Sequence, residues 1–315
     1  MTSKWGFWSS TGPPPRAGSI SAEALTRLYT AFTAVFNAAF QETETWYERV
    51  AMTVPANTRI MDYKFLLDFP MVREWLGDRQ ISSLEPKAYQ IESKDWEATI
   101  EVERNDIEDE QIGFYNPIVA ALAQEARKHP EKLISDLLKN AFASVCYDGQ
   151  YFFDTDHPVG SGTASNSAGG AGTAWYLLDT SRAVKPFIFQ LRRGVELVRM
   201  DRPDDEHAFM RKKFRYGVDY RGAAAYGLWQ LAYASKQTLD ATNYASSRAA
   251  MMSQTNAEGR PLGIKPNLMV VPPSLEKSAR EILQAQFIIG DPATGGSKSN
   301  VWQGTADLLV VPELT

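Results

Sequence analysis

From Asn116 to Phe142 apolar side chains return every three or four residues, a run that few other parts of the chain can match. Ile118, Val119, Leu122 and Ala126 open the series, and Leu133, Ile134, Leu137, Leu138, Ala141 and Phe142 continue it. That period places them on one face of an amphipathic helix. Asn116-Pro117 supplies a cap and a first turn, because asparagine bonds the free amides and proline needs no amide partner there. Pro130 sits inside the series and removes one helical hydrogen bond, so the spacing predicts one long helix, kinked or briefly broken at that residue. Continuous from Pro117 to Ala143, it would be about 40 Å long at 1.5 Å per residue. A rod of that length is the backbone of a domain.

The clearest strand signal precedes it. In "KAYQIESKDWEATIEVER" polar and apolar residues alternate on both sides of Lys94-Asp95, which predicts a β-hairpin. A two-residue turn there sets Ser93 opposite Trp96, Ile91 opposite Ala98 and Tyr89 opposite Ile100, so one surface is apolar. The other carries Glu92, Glu97, Glu101 and Glu103, with Glu92 facing Glu97, a like-charge pair that needs a cationic cover. A lone hairpin is marginal in water and calls for a domain or another molecule against it. The basic surface expected to supply that cover, on a neighbouring copy, lies near Arg127, Lys128 and Lys132.

A third stretch, "CYDGQYFFDTDHP", gathers the single cysteine, Cys146, with Asp148, Asp154, Asp156 and His157. These are the residue types of a metal centre or a thiol nucleophile, and they motivate a competing reading as a metal-dependent hydrolase with one bound ion. The spacings argue against it. HExxH, paired CxxC and the calcium-loop pattern are all absent, and Pro158 restricts His157 to extended backbone. Tyr147-Asp148-Gly149 reads as a tight turn. We therefore expect no catalytic residue, no metal and no cofactor. "FIIGDPATGGSKS" imitates a phosphate loop, but Ser297 separates Gly296 from Lys298 and no helical run follows. "ERNDIEDEQIG" reads as a solvated connection, "GSGTASNSAGGAGTA" as a flexible loop, and His207 as part of a solvated loop.

With 315 residues the chain has room for two domains or one large one. Its net charge of −5 argues against a protein that holds nucleic acid through a large basic face, and leaves local basic patches open. One cysteine allows no internal disulfide, and a reducing compartment is the simplest home. No apolar run is long enough to cross a bilayer. The first residues are rich in proline, glycine and serine yet carry Trp5, Phe7 and Trp8, aromatics that want a partner. From Ser21 an amphipathic helix is expected, with Leu25, Leu28, Tyr29, Phe32, Val35, Phe36 and Phe40 as its stripe. After Tyr147, strand-like runs interleave with helices at about 238–252 and 274–285, the latter capped by Ser274, so the second half is mixed α+β.

The order of tail, hairpin, long helix and mixed domain resembles the Hong Kong 97-type major capsid protein of tailed phages, an α+β fold. "EVERNDIEDEQIGFYNP", "HPEKLISDLLKNAF", "YDGQYFFDTDHP", "DTSRAVKPFIFQLRR", "YGVDYRGAAAYGLWQLAYAS" and "GRPLGIKPNLMVVPPSLEKSAREIL" are similar to the major head subunit of Mu-like phages and prophages. The resemblance runs from about Thr45 to the end. It implies an N-arm with its amphipathic helix at 1–45, an extended loop at 46–110 with the hairpin at about 87–104, the spine helix of a peripheral domain at 111–146, and an axial domain with return segments at 147–315. "YDGQYFFDTDHP" becomes a structural hand-over between helix and axial domain.

The resemblance further implies hexamers and pentamers of an icosahedral shell around double-stranded DNA, assembled in the bacterial host cytoplasm and carried in the virion. Separate scaffold, maturation protease and portal proteins would attend it, with no membrane, and a decoration protein is left open. A DNA-free encapsulating shell is the remaining structural alternative. Subunit contacts are then expected at Trp5, Trp8, Tyr89, Ile91, Glu92, Trp96, Glu97 and Glu101, and at Arg127, Lys128 and Lys132 of the facing copy.

Overall fold

The computed structural model describes residues 20–63, 89–109, 111–202, 205–289 and 297–314. In chain order they form α1 (Ala22–Glu42), α2 (Tyr47–Val50), β1 (Ala51–Pro55), β2 (Ile60–Asp62), β3 (Gln90–Glu92), β4 (Lys94–Glu103), α3 (Arg104–Glu108) and α4 (Asn116–Asn140). There follow β5 (His157–Val159), β6 (Gly162–Ala164), β7 (Trp175–Leu178), β8 (Phe187–Met200), α5 (Glu206–Arg211) and β9 (Lys213–Tyr226). The last elements are β10 (Ala232–Ser235), α6 (Ala241–Met252), β11 (Leu268–Val271), α7 (Glu276–Leu283), β12 (Phe287–Ile289), β13 (Ser297–Ser299) and β14 (Asp307–Val310). They divide between two compact units. The described parts of Met1–Thr43, Glu97–Ala126 and Val195–Asp219 make one, and those of Glu44–Trp96, Arg127–Gly194 and Tyr220–Thr315 the other.

In the first unit α1 begins where expected, with the Ser21 hydroxyl accepting from the Ala24 amide at 3.1 Å. Its buried stripe is Leu25, Leu28, Phe32 and Phe36, each contributing about 1.5–3 kcal/mol by leaving water. Val119, Leu122, Ala123 and Ala126 of α4 share that core with Val102, Leu197, Phe214, Tyr216 and Val218 from the strands. Phe32 meets Tyr216 edge to face, with ring centres 5.1 Å apart. The alternation read in β4 holds: Ala98, Ile100 and Val102 turn inward while Glu97, Thr99, Glu101 and Glu103 are exposed.

The long helix is present, 25 residues with Pro130 inside it. On its second-unit part Ile134 and Leu138 are fully buried, and packing on both sides of the proline offsets the hydrogen bond it removes. Two tyrosines satisfy carbonyls at its end: the Tyr226 hydroxyl donates to Leu137 at 2.8 Å and the Tyr176 hydroxyl to Leu138 at 3.3 Å.

The second unit is built on the sheet order β10–β7–β11–β14, antiparallel at the first two pairings and parallel at β11–β14. Trp175 to Leu178 and Leu268 to Val271 are buried on both faces, as continuous apolar strands must be. β1 pairs in parallel with the first part of β8, Ala51 opposite Phe187. Phe152, Phe153, Tyr176, Phe187 and Tyr226 form a run of ring contacts; Tyr226 stacks on Phe152 at 4.5 Å.

The β-hairpin expected at about 87–104 does not form. β3 pairs antiparallel with β2, Met61 opposite Ile91, and β4 lies beside β9. The reason is turn chemistry. A two-residue hairpin turn needs left-handed backbone, which neither Lys94 nor Asp95 adopts; Lys212 is the non-glycine residue with positive φ among those described. Ser93 is instead held from elsewhere, its amide donating to the Arg59 carbonyl at 2.9 Å and its hydroxyl accepting from Gln190 Nε2 at 2.6 Å.

Smaller expectations are also corrected. The connection after β4 contains the short helix α3, and His207 falls within α5 rather than a loop. Ser274 lies in a 3-10 turn before α7 and does not cap it. The Gly/Ser-rich segment is not open loop throughout. Gly162–Ala164 pairs with His157–Val159, and Gly170 (φ 104°) presses so closely on Lys236 that a Cβ would sit 2.4 Å from its carbonyl carbon. The imitation phosphate loop ends in strand β13, with Lys298 opposite Ile288, where a phosphate loop would open a helix, in agreement with the reading against it.

Candidate functional site

The cluster in "CYDGQYFFDTDHP" assembles in the second unit. Gly149 takes φ 93° and donates to the Cys146 carbonyl, and the Asp148 side chain accepts from the Gln150 amide at 3.0 Å, so the expected tight turn is there. His157 opens β5 in the extended conformation that Pro158 demands. Its Nδ1 lies 2.7 Å from Asp148 Oδ2 and its Nε2 3.2 Å from Asn166 Oδ1. The ring stacks on Trp229 at 4.0 Å, nearly parallel at 9°, and has no exposed surface.

This geometry does not make a nucleophile. The Cys146 thiol donates to Asp148 Oδ1 at 3.0 Å, so the sulfur is partnered by a carboxylate too weakly basic to take its proton, while the His157 Nδ1 is turned to the other oxygen of that carboxylate. Burial, reinforced by the neighbouring Asp148 carboxylate, pushes the thiol far above its ordinary range. Burial also acts to raise Asp148, but hydrogen bonds from His157, Cys146 and the Gln150 amide outweigh it and hold that carboxyl low. Ligand atoms of Cys146, Asp148 and His157 lie within 4.8 Å of one another, yet each is engaged in a hydrogen bond. Asp156 is exposed, and Asp154 accepts from its own neighbour Thr155; neither joins the cluster. Asn166 and Trp229, which complete it, gave no sequence signal: one lies in a small-residue stretch, the other reads as core.

The anticipated contact residues scatter. Trp5 and Trp8 lie outside the described residues. Ile91 is buried, Tyr89 accepts from the Tyr226 amide, and Trp96 donates from its indole to the Gly222 carbonyl at 3.0 Å. Glu92 pairs with Arg59 at 2.6 Å. Glu101 receives Lys213 at 2.9 Å and Arg215 at 2.8 Å, and these two hydrogen bonds hold its carboxyl down at about 2. Much of the cation cover for the acidic surface thus comes from the same chain. Arg127 pairs with Glu48 at 3.1 Å, while Lys128, Lys132 and Glu97 are exposed.

Comparison with solved structures gives the class. The subunit in the procapsid of bacteriophage JBD30 superimposes with a TM-score of 0.82 at 38% identity, over 93% of this chain and 100% of that one. The subunit of the JBD30 capsid gives 0.74 at 27% identity, over 94% and 99%. The fold is therefore that of a phage capsid protein, in keeping with the Hong Kong 97 type. Among curated proteins, the major capsid protein of Escherichia phage Mu is 38% identical over 306 residues, 94% of this chain and 99% of its own. The Mu-like prophage FluMu major head subunit of Haemophilus influenzae is 35% identical, over 85% and 91%.

Residues 25–314 match the Mu-like prophage major head subunit gpT, and the chain belongs to that family. Its role is that of a major capsid, or head, protein and a component of the virion; it is not an enzyme, and the hydrolase reading drops out.

Proposed function

We propose that copies of this chain close into an icosahedral shell of hexamers and pentamers around the double-stranded DNA of a tailed phage, assembling in the host cytoplasm with separate scaffold, protease and portal proteins. In this reading residues 1–45 serve as N-arm, 46–110 contribute the extended loop, α4 is the spine of the peripheral domain, and the chain from 147 onward supplies the axial domain. The observation that carries it is family membership over nearly the whole chain, joined to close similarity with subunits of an assembled procapsid and capsid. A net charge of −5 suits a wall along which packaged DNA must slide.

Subunits in such a shell need contacts above about 1,000 Å² per stable pairing. Trp5 and Trp8 are assigned to burial against neighbouring copies, and exposed Glu97 of one copy to Lys128 and Lys132 of the next. Tyr89, Ile91, Trp96, Glu92 and Glu101 support that surface from within their own chain. Negative-stain microscopy and size-exclusion chromatography of the full chain, expressed with its head genes, should give megadalton particles that survive chelation. A compact small oligomer as the sole species would refute the shell. E97K and K128E should each impair assembly with unchanged circular dichroism, and the double variant should recover it; normal shells from both single variants would remove the charge contact.

A further inference from the structure

The hydrogen bonds around His157 define its chemical state. Asn166 Nδ2 donates to the Phe152 carbonyl at 2.7 Å and to the Trp229 carbonyl at 3.3 Å, while Asn166 Oδ1 accepts from the Asp154 amide at 2.9 Å. Rotating that amide would aim its oxygen at two carbonyls and its nitrogen at an N–H, so three partners fix its orientation. Asn166 Oδ1 therefore presents an acceptor to His157 Nε2, and the Asp148 carboxylate presents another to Nδ1. A neutral imidazole has one N–H and one lone pair. It would satisfy one neighbour and set its lone pair against the other, in a place water does not reach.

We propose that His157 is carried as the doubly protonated imidazolium, and that this ring is a clasp fastening segment 146–166 to the Trp229 turn. Two further observations agree. The ring lies flat on the indole, where a cation gains from the π face. The other titratable groups nearby offer the ring no hydrogen bond: the Cys146 thiol donates to Asp148, the Tyr147 hydroxyl is turned to Gln230, and the Asp154 carboxylate to the Thr155 amide. The positive ring is neutralised by Asp148, so the pair is buried without net charge. Burial acts to raise the Asp148 carboxyl, but its hydrogen bonds hold it low, so it stands as the carboxylate that balances the ring.

The full chain, labelled with ¹⁵N-histidine, tests the state directly by magic-angle-spinning NMR on free or assembled subunits. His129→Gln and His207→Gln together leave His157 as the single remaining signal of the 3 histidines. Both of its ring nitrogens should resonate as protonated nitrogens at neutral pH; one unprotonated nitrogen would overturn the proposal. Hydrogen exchange followed by mass spectrometry should show lower protection in 147–166 for His157→Gln than for the parent chain, since the ring joins that segment to Trp229. Unchanged protection of that segment would equally overturn the clasp. Neither readout depends on shell formation, so failure here and failure of the capsid reading are separable.

Discussion

Replacing Phe32 by alanine should unfold the first unit's core more readily than almost any other single truncation there. Phe32 has no exposed surface, and its ring edge meets Tyr216 at 5.1 Å within a core shared by α1, α4 and β9. Truncation of a buried phenylalanine costs about 3–5 kcal/mol, because lost transfer energy adds to the cavity left behind. The edge-to-face pair accounts for about 0.5–1.5 kcal/mol of that. Against a typical total of about 5–15 kcal/mol this is a large share. Denaturant unfolding of the unassembled subunit, followed by circular dichroism, reads it as a lowered midpoint. Phe114→Ala is the control, since Phe114 is 77% exposed and should change stability by no more than about 0.5 kcal/mol. If F32A and F114A behave alike, with both losses below about 1 kcal/mol, the assignment of α1 to this core is refuted.

Gly170→Ala should destabilise by more than about 1 kcal/mol, since the site combines positive φ with a carbonyl in the way. Gly194→Ala, where nothing lies within 4 Å, should be near neutral; equal midpoints for the two would contradict the close approach. Glu101 titrates at about 2 in the fold, below the ordinary value of about 4.3, so its stabilising effect is complete above that value and fades as pH falls toward about 2. Glu101→Gln should flatten that part of the acid-stability profile by a small amount, because the group is exposed; an unaltered profile would sever it from Lys213 and Arg215.

What the sequence disclosed follows from what periodicity can encode. The spacing of Leu25, Leu28, Phe32 and Phe36, and of Val119, Leu122, Ile134 and Leu138, names the buried face of a helix without reference to any partner. Period two in β4 likewise names its inward face. It does not name the neighbouring strand, and the choice of β9 rests on Trp96 reaching Gly222 and Glu101 reaching Lys213, contacts more than a hundred residues apart in the chain. The cluster at Cys146, Asp148 and His157 was visible because those residues are close in sequence. Asn166, whose amide sets the chemistry of the ring, was not, since a single asparagine among small residues carries no pattern.

The end of α4 holds a consequence of its own. Tyr226 and Tyr176, from two different strands, reach its carbonyls at Leu137 and Leu138, so the helix is measured against fixed posts. One residue inserted between Pro130 and Leu137 would turn that end by about 100° and swing both carbonyls away from the hydroxyls. Length drift is therefore forbidden in this stretch even where composition could wander, and natural insertions should collect elsewhere in the chain.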